Sequence, residues 1–159
     1  MSEVNIKYLL PEMKGASGGA KVIYNHSSTL NNLTKNISSE IIHLKKKLSY
    51  KLQLSLSKRI KFFDIKYSGW DGKKMKISKQ YRPKKDWHKN KIFVGDNLNF
   101  NNKKDFIIIP EICAHFAVDL KFAENKIKYA IFVQGFYHMN SINNFFNLKK
   151  SYEDASLII

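Results

Sequence analysis

The chain opens on Val4-Asn-Ile-Lys-Tyr-Leu-Leu10, which alternates enough for a strand and is apolar enough for a buried one. Pro11 stops this run, and Gly15, Gly18 and Gly19 punctuate the loop that follows. Ser17 is placed to cap a helix over about 19–30, with Val22, Ile23 and Leu30 turned inward and Asn31-Asn32 at its end. Glu40-Ile-Ile-His-Leu44 reads as a second strand that leaves the core at Lys45-Lys-Lys47. Further on, Leu48, Leu52, Leu56, Ile60 and Phe63 recur every three or four residues, which predicts a short amphipathic helix over 48–63. Tyr67-Ser-Gly-Trp-Asp-Gly72 is a turn-rich break, and Met75–Tyr81 alternates like a strand until Pro83. The polar stretch 84–102 reads as a loop holding one extended piece, Lys91-Ile-Phe-Val94.

The second half repeats the opening pattern. Phe106-Ile-Ile-Ile109 is a short, fully apolar run ended by Pro110, as expected of a central parallel strand. Residues 112–125 fit a helix with Ile112, Phe116, Leu120 and Ala123 inward. Lys128–Val133 is another buried strand, followed by Gln134-Gly135, a helix over 143–154 and a last extended run, Ala155–Ile159. Strand and helix thus alternate with short connections. That order predicts an α/β, Rossmann-like, mostly parallel sheet with helices on both faces and right-handed crossovers, in one domain spanning 1–159. Because the chain stops inside a run that reads as a sheet strand, it is expected to be part of a longer polypeptide.

Composition narrows the setting. An apolar fraction of 43% over 159 residues is enough for a real core. The only cysteine is Cys113, so there is neither an intrachain disulfide nor a thiolate metal site, which fits a reducing cytoplasm. Ser2-Glu-Val-Asn leads straight into the first strand with no signal-peptide pattern, and every apolar run is far shorter than the ~20 residues of a membrane-spanning helix. The net charge of +15 comes almost wholly from lysine, with only Arg59 and Arg82 as arginines. Base readout favours the arginine fork, so nucleic acid ranks last among partners. A solvated lysine surface ranks first, and contact with an anionic membrane from the cytoplasmic side ranks second.

Three segments carry candidate chemistry. Gly15, Gly18 and Gly19 let backbone approach a phosphate, and the helix start supplies N–H groups and a positive dipole end. The spacing is neither the dinucleotide fingerprint nor the Walker loop, which speaks against an ATPase. Glu111 and His115 follow the central strand, where α/β sheets place ligand groups, and would share a helix face one turn apart, suited to handling a proton or holding a hydroxyl-rich acceptor. Gln134, Gly135, Tyr137 and His138 follow the next strand and would sit at the same sheet edge. Each segment also has a plain structural reading as a tight turn, a helix-start carboxylate or a strand exit. Convergence on one edge is what favours function. Cys113 reads as a small buried hydrophobe, and no third ligand completes a metal site.

These residues resemble the N-terminal domain of GT-B glycosyltransferases, of the large retaining group that includes glycogen synthase and bacterial polysaccharide glycosyltransferases. The likeness runs through Ile6-Lys-Tyr-Leu-Leu-Pro11 with Gly15, Gly18, Gly19 and Ala20, through Asp105–Glu111 and Ala130–Gly135, to Tyr152-Glu-Asp-Ala-Ser-Leu-Ile-Ile159. It implies an acceptor-side domain whose glycine loop approaches the diphosphate and sugar of a nucleotide-sugar donor, with no bound cofactor and no obligatory metal. Glu111, His115 and Tyr137 would lie near a carbohydrate or lipid-linked acceptor. A C-terminal nucleotide-sugar domain would complete the enzyme, so this chain alone would be poorly active. Gln134 stands where many members carry histidine, so that histidine's role has no matching residue here. The alternative is a non-catalytic α/β binding module at an anionic membrane surface.

Overall fold

The computed structural model describes residues 4–12, 17–33, 35–45, 49–55, 62–68, 77–88, 91–134 and 146–159. Its elements in chain order are β1 (Val4–Pro11), α1 (Gly18–Leu33), β2 (Ile37–Leu44), β3 (Ser49–Ser55), β4 (Phe62–Ser68), β5 (Phe93–Val94), β6 (Asp105–Pro110), α2 (Phe116–Asp119), β7 (Lys128–Phe132), α3 (Phe146–Glu153) and β8 (Leu157–Ile158). Six strands form one sheet in the order β5-β2-β1-β6-β7-β8, and every pairing in it is parallel. The chain therefore starts in the middle, winds outward to β5, and returns to the middle to wind the other way. That is the doubly wound Rossmann-like arrangement expected of alternating buried strands and helices.

Both sheet faces are covered. On one face α1 and the short turn at Trp87 pack on Tyr8, Leu10, Ile41, Ile108 and Ala130. On the other, the segment around α2 packs on Leu9, Ile42, Ile107, Ile109 and Ile131, with Tyr152 of α3 against it. Among the described residues no helix is long and apolar enough to cross a membrane.

Local chemistry explains the boundaries. Ser17 caps α1, its Oγ accepting the Ala20 N–H at 3.1 Å. The far end of α1 is pinned to β2, because the Asn31 amide donates to the Ser39 carbonyl and accepts the Ser39 N–H, at 2.8 and 2.6 Å. Ala20, Ile23, Tyr24, Ser27 and Ser28 form the buried stripe. Val22, expected inward, is 40% exposed, because it lies about 200° of helix rotation from Ala20. Pro11 and Pro110 are each the last residue of a strand.

Two helix expectations are corrected. Residues 48–63 hold no helix in their described part: Ser49–Ser55 and Phe62–Ser68 pair as an antiparallel ribbon with Tyr50 opposite Tyr67. A spacing of four is also an even number, so the leucine pattern fits a two-residue period as well as a helical one, and Tyr50, Leu52 and Leu54 complete the alternation. The expected helix over 112–125 is broken into a 3-10 turn at Glu111–Cys113, the single turn of α2, and two further turns. Lys121 and Lys126 each adopt a left-handed conformation with φ 56°. The following N–H groups reach back five residues, Phe122 to Ala117 at 2.9 Å and Ile127 to Phe122 at 2.8 Å. Each is a helix-ending motif that ordinarily carries glycine. The strand expected over Met75–Tyr81 reduces, in its described part, to one bridge between Ile77 and Leu44.

Exposed Lys126 holds a conformation that costs a side-chain-bearing residue on the order of 1 kcal/mol. Lys126→Gly is accordingly expected to raise the midpoint of thermal unfolding by roughly 2–4 °C, measured by circular dichroism. An unchanged or lower midpoint would count against the strain.

Candidate crevice at the carboxyl edge of the sheet

In a doubly wound sheet, ligands bind where neighbouring strands send their chains to opposite faces, outside the carboxyl ends. Here that point lies between β1 and β6. Asn5 pairs with Asp105 and Phe106 with Lys128. Carried forward at the same offsets, the register sets Pro11, Glu111 and Val133 at one level.

Gly19 of α1 lies against the side chain of Gln134, which follows β7. Any Cβ at Gly19 would overlap the Gln134 amide, so this approach requires glycine. The contact spans the end of β6, since β6 lies between β1 and β7. Two of the three candidate segments thus touch at their described residues. Gly18 has open space where a side chain would stand. Gly15, Gly135, Tyr137 and His138 lie outside the described residues.

Glu111 is 3% exposed, directly after β6. Neither of its carboxylate oxygens has a hydrogen-bond partner among the described residues, and the same holds for the buried Tyr152 hydroxyl. Burial first, and then the Glu111 carboxylate facing it, push the Tyr152 phenol up to about 12. The Glu111 carboxylate lies close enough to raise the phenol both by its charge and by hydrogen bonding to it, although no bond between the two has full hydrogen-bond geometry. Orphaned buried polar atoms cost about 1–3 kcal/mol each, and a ligand bringing hydroxyl donors would recover that cost.

His115 stands half-buried with its ring edge-on to Phe116, centroids 4.4 Å apart, and no hydrogen bond links it to the Glu111 carboxylate. The expected alignment assumed one continuous α-helix, whereas Glu111 sits in a 3-10 turn and His115 stands at the start of α2. Cys113 is fully buried, and burial pushes its thiol well up, as befits a packing residue.

A second set of groups was not foreseen. Ile77–Tyr81 folds over the ends of β1 and β2, with the Ser78 N–H donating to the His43 carbonyl at 2.7 Å and the Ser78 hydroxyl donating to the Glu12 carboxylate. A cavity of about 690 Å³ opens there, lined by Glu12, Lys45, Ser78, Lys79, Gln80 and Tyr81. Glu12 carries the Pro-Glu signal that also marks Glu111, and that repetition could have flagged it. Tyr152, far along the chain from Glu111, carried no such signal.

Comparison with known proteins finds no matching family model, no matching curated protein and no matching solved structure.

Proposed function

We propose that the chain is the acceptor-side domain of a glycosyltransferase, moving a sugar from a nucleotide-sugar donor to a carbohydrate or lipid-linked acceptor together with a second, nucleotide-sugar-binding domain. The observation that carries this reading is the meeting of Gly19 and Gln134 across the end of β6, beside a buried Glu111 whose carboxylate has no well-aligned donor among the described residues. Two chemistries stand side by side. The start of α1 favours a diphosphate through its backbone N–H groups and dipole. Glu111 and Tyr152 favour a polyol, whose hydroxyls donate to the carboxylate. A sugar diphosphate beside a sugar acceptor presents both.

In this reading the acceptor hydroxyl bonds to the anomeric carbon as the bond from that carbon to the diphosphate breaks. Glu111 orients the acceptor hydroxyl and draws on its proton, and the start of α1 meets charge developing on the departing diphosphate. Gln134 holds the sugar by its amide.

Amide-resolved NMR of the chain titrated with nucleotide sugars and oligosaccharides tests the assignment. At ~10 mM ligand, enough to populate a millimolar complex, shifts are expected at Gly18, Gly19, Glu111 and Gln134. Gly19→Val should displace Gln134 and weaken the nucleotide-sugar response at least tenfold while the fold persists, since the clashing atoms end a flexible side chain. Glu111→Gln should weaken the oligosaccharide response. Shifts confined to other regions, or none, would overturn the assignment.

A further inference from the structure

We propose that the opposite, amino edge of the sheet is a docking surface for an anionic lipid bilayer. The register carries the argument. Val4 pairs with Ile37, and Asn5 with Asp105, so Lys104 stands level with Val4. Phe106 pairs with Lys128, so Lys126 stands level with Lys104. Hydrogen bonds from the Val4 N–H to the Asn36 carbonyl and from the Asn5 N–H to the Lys104 carbonyl, at 3.0 and 2.9 Å, hold the row together. Lys35, Lys103, Lys104, Lys126 and Lys128 therefore approach one edge across β2, β1, β6 and β7, and all five are exposed.

Among the described residues none of these lysines has an acidic partner. The nearby acids are already engaged: Asp105 is held by Lys7 at 3.2 Å, and Glu124 by Lys121 at 3.0 Å. On α3, by contrast, Lys149 and Lys150 are paired with Glu153 and Asp154.

Charge alone would suit any polyanion. The second observation is apolar. Leu33, the last residue of α1, is 70% exposed, and Val4 at the start of β1 is 38% exposed. Both belong to this edge. On the other, α2-side face a cavity of about 690 Å³ is rimmed by Asn102 and Lys103, with Phe122 and Ile127 buried in its floor. Apolar side chains among unpaired lysines match an interface with acyl chains beneath phosphate headgroups, whereas a nucleic-acid backbone offers no use for an exposed leucine. An eight-residue strand is about 26 Å long. Docking on this edge leaves the crevice at the carboxyl edge turned to solvent. The proposal stands independently of the glycosyl-transfer reading.

Each lysine brought to an anionic surface strengthens binding roughly fivefold. Sedimentation with vesicles of phosphatidylglycerol and phosphatidylcholine should pull the chain down, pure phosphatidylcholine should not, and added salt should reverse binding. The fourfold variant Lys103→Gln, Lys104→Gln, Lys126→Gln, Lys128→Gln should lose roughly a hundredfold or more. Lys84→Gln, Lys85→Gln, Lys91→Gln, Lys149→Gln removes the same charge elsewhere and should lose under tenfold. Leu33→Asp should weaken binding by itself. Far-UV circular dichroism checks that each variant is folded. Equal loss in the two fourfold variants, or stronger binding to duplex DNA than to vesicles with the same lysines needed, overturns the proposal.

Discussion

Lowering the pH from 7 to 4 is expected to remove about 3 kcal/mol of stability through one side chain, His43. This residue of β2 is fully buried, with its Nε2 2.9 Å from the Tyr24 hydroxyl and its Nδ1 without a partner among the described residues. Tyr24 and Tyr81 pack on its ring, the Tyr81 centroid 4.6 Å away. Burial, and then the positive charge of Arg82, lower its pKa from 6.5 to about 4. The unfolded chain takes up a proton near pH 6.5 that the folded chain refuses until about pH 4. The stabilisation is therefore complete above the unfolded value, declines as pH falls through the interval, and is gone below the folded value. Urea unfolding of the native chain and of His43→Gln across this range separates the effect from that of titrating carboxylates. The variant should be weaker at pH 7, having lost a buried hydrogen bond, and the two curves should converge towards pH 4. Parallel curves would sink the assignment to His43.

Much of this architecture was legible because buried parallel strands write themselves as continuous apolar runs. Leu9-Leu10, Ile41-Ile42, Ile107–Ile109 and Ala130-Ile131 are such runs, and their order predicts the sheet. Pro11 and Pro110 marked strand ends at the carboxyl edge, and with them the loops that matter. The misreadings have local causes. Leucines at spacings of four cannot distinguish ribbon from helix over 48–63. Two left-handed lysines ended helical turns that glycine would have announced. Of the crevice, Glu111, Gly19 and Gln134 could be singled out from their places after strands. That Gly19 touches Gln134, and that Glu111 faces Tyr152, depends on packing between segments distant in sequence, which no periodicity records.

The lysine within β1 was equally silent, yet replacing it should have one of the largest effects in the molecule. Lys7 looks like an interruption of an apolar run, but its Nζ lies 3.2 Å from both Glu40 Oε1 and Asp105 Oδ2. Glu40 is its register partner on β2, and Asp105 stands one pleat back on β6, opposite Asn5. Asn5 extends the ladder, donating to Asp105 at 3.1 Å and accepting from Ser38 at 2.6 Å. The three central strands are thus tied at two polar rungs on their amino halves, while their carboxyl halves are held by apolar packing that a shifted register could partly satisfy. The Asp105 side chain is 3% exposed, against 84% and 60% for the Lys149–Glu153 pair. Lys7→Met leaves that carboxylate buried with, among the described residues, only the Asn5 amide and the Asn101 N–H for support, so it is expected to cost about 3 kcal/mol. Lys149→Ala should cost under ~0.5 kcal/mol, because its ion pair is solvated on both sides. Adding Asp105→Asn to Lys7→Met should recover part of the loss, since the neutral amide removes the uncompensated charge and still accepts a hydrogen bond. Denaturant titration of the single and double variants measures the coupling. If Lys7→Met is as mild as Lys149→Ala, or the double variant is as weak as the sum of its parts, the ladder does not hold the centre of the sheet, and apolar packing alone must fix the register on which both edges depend.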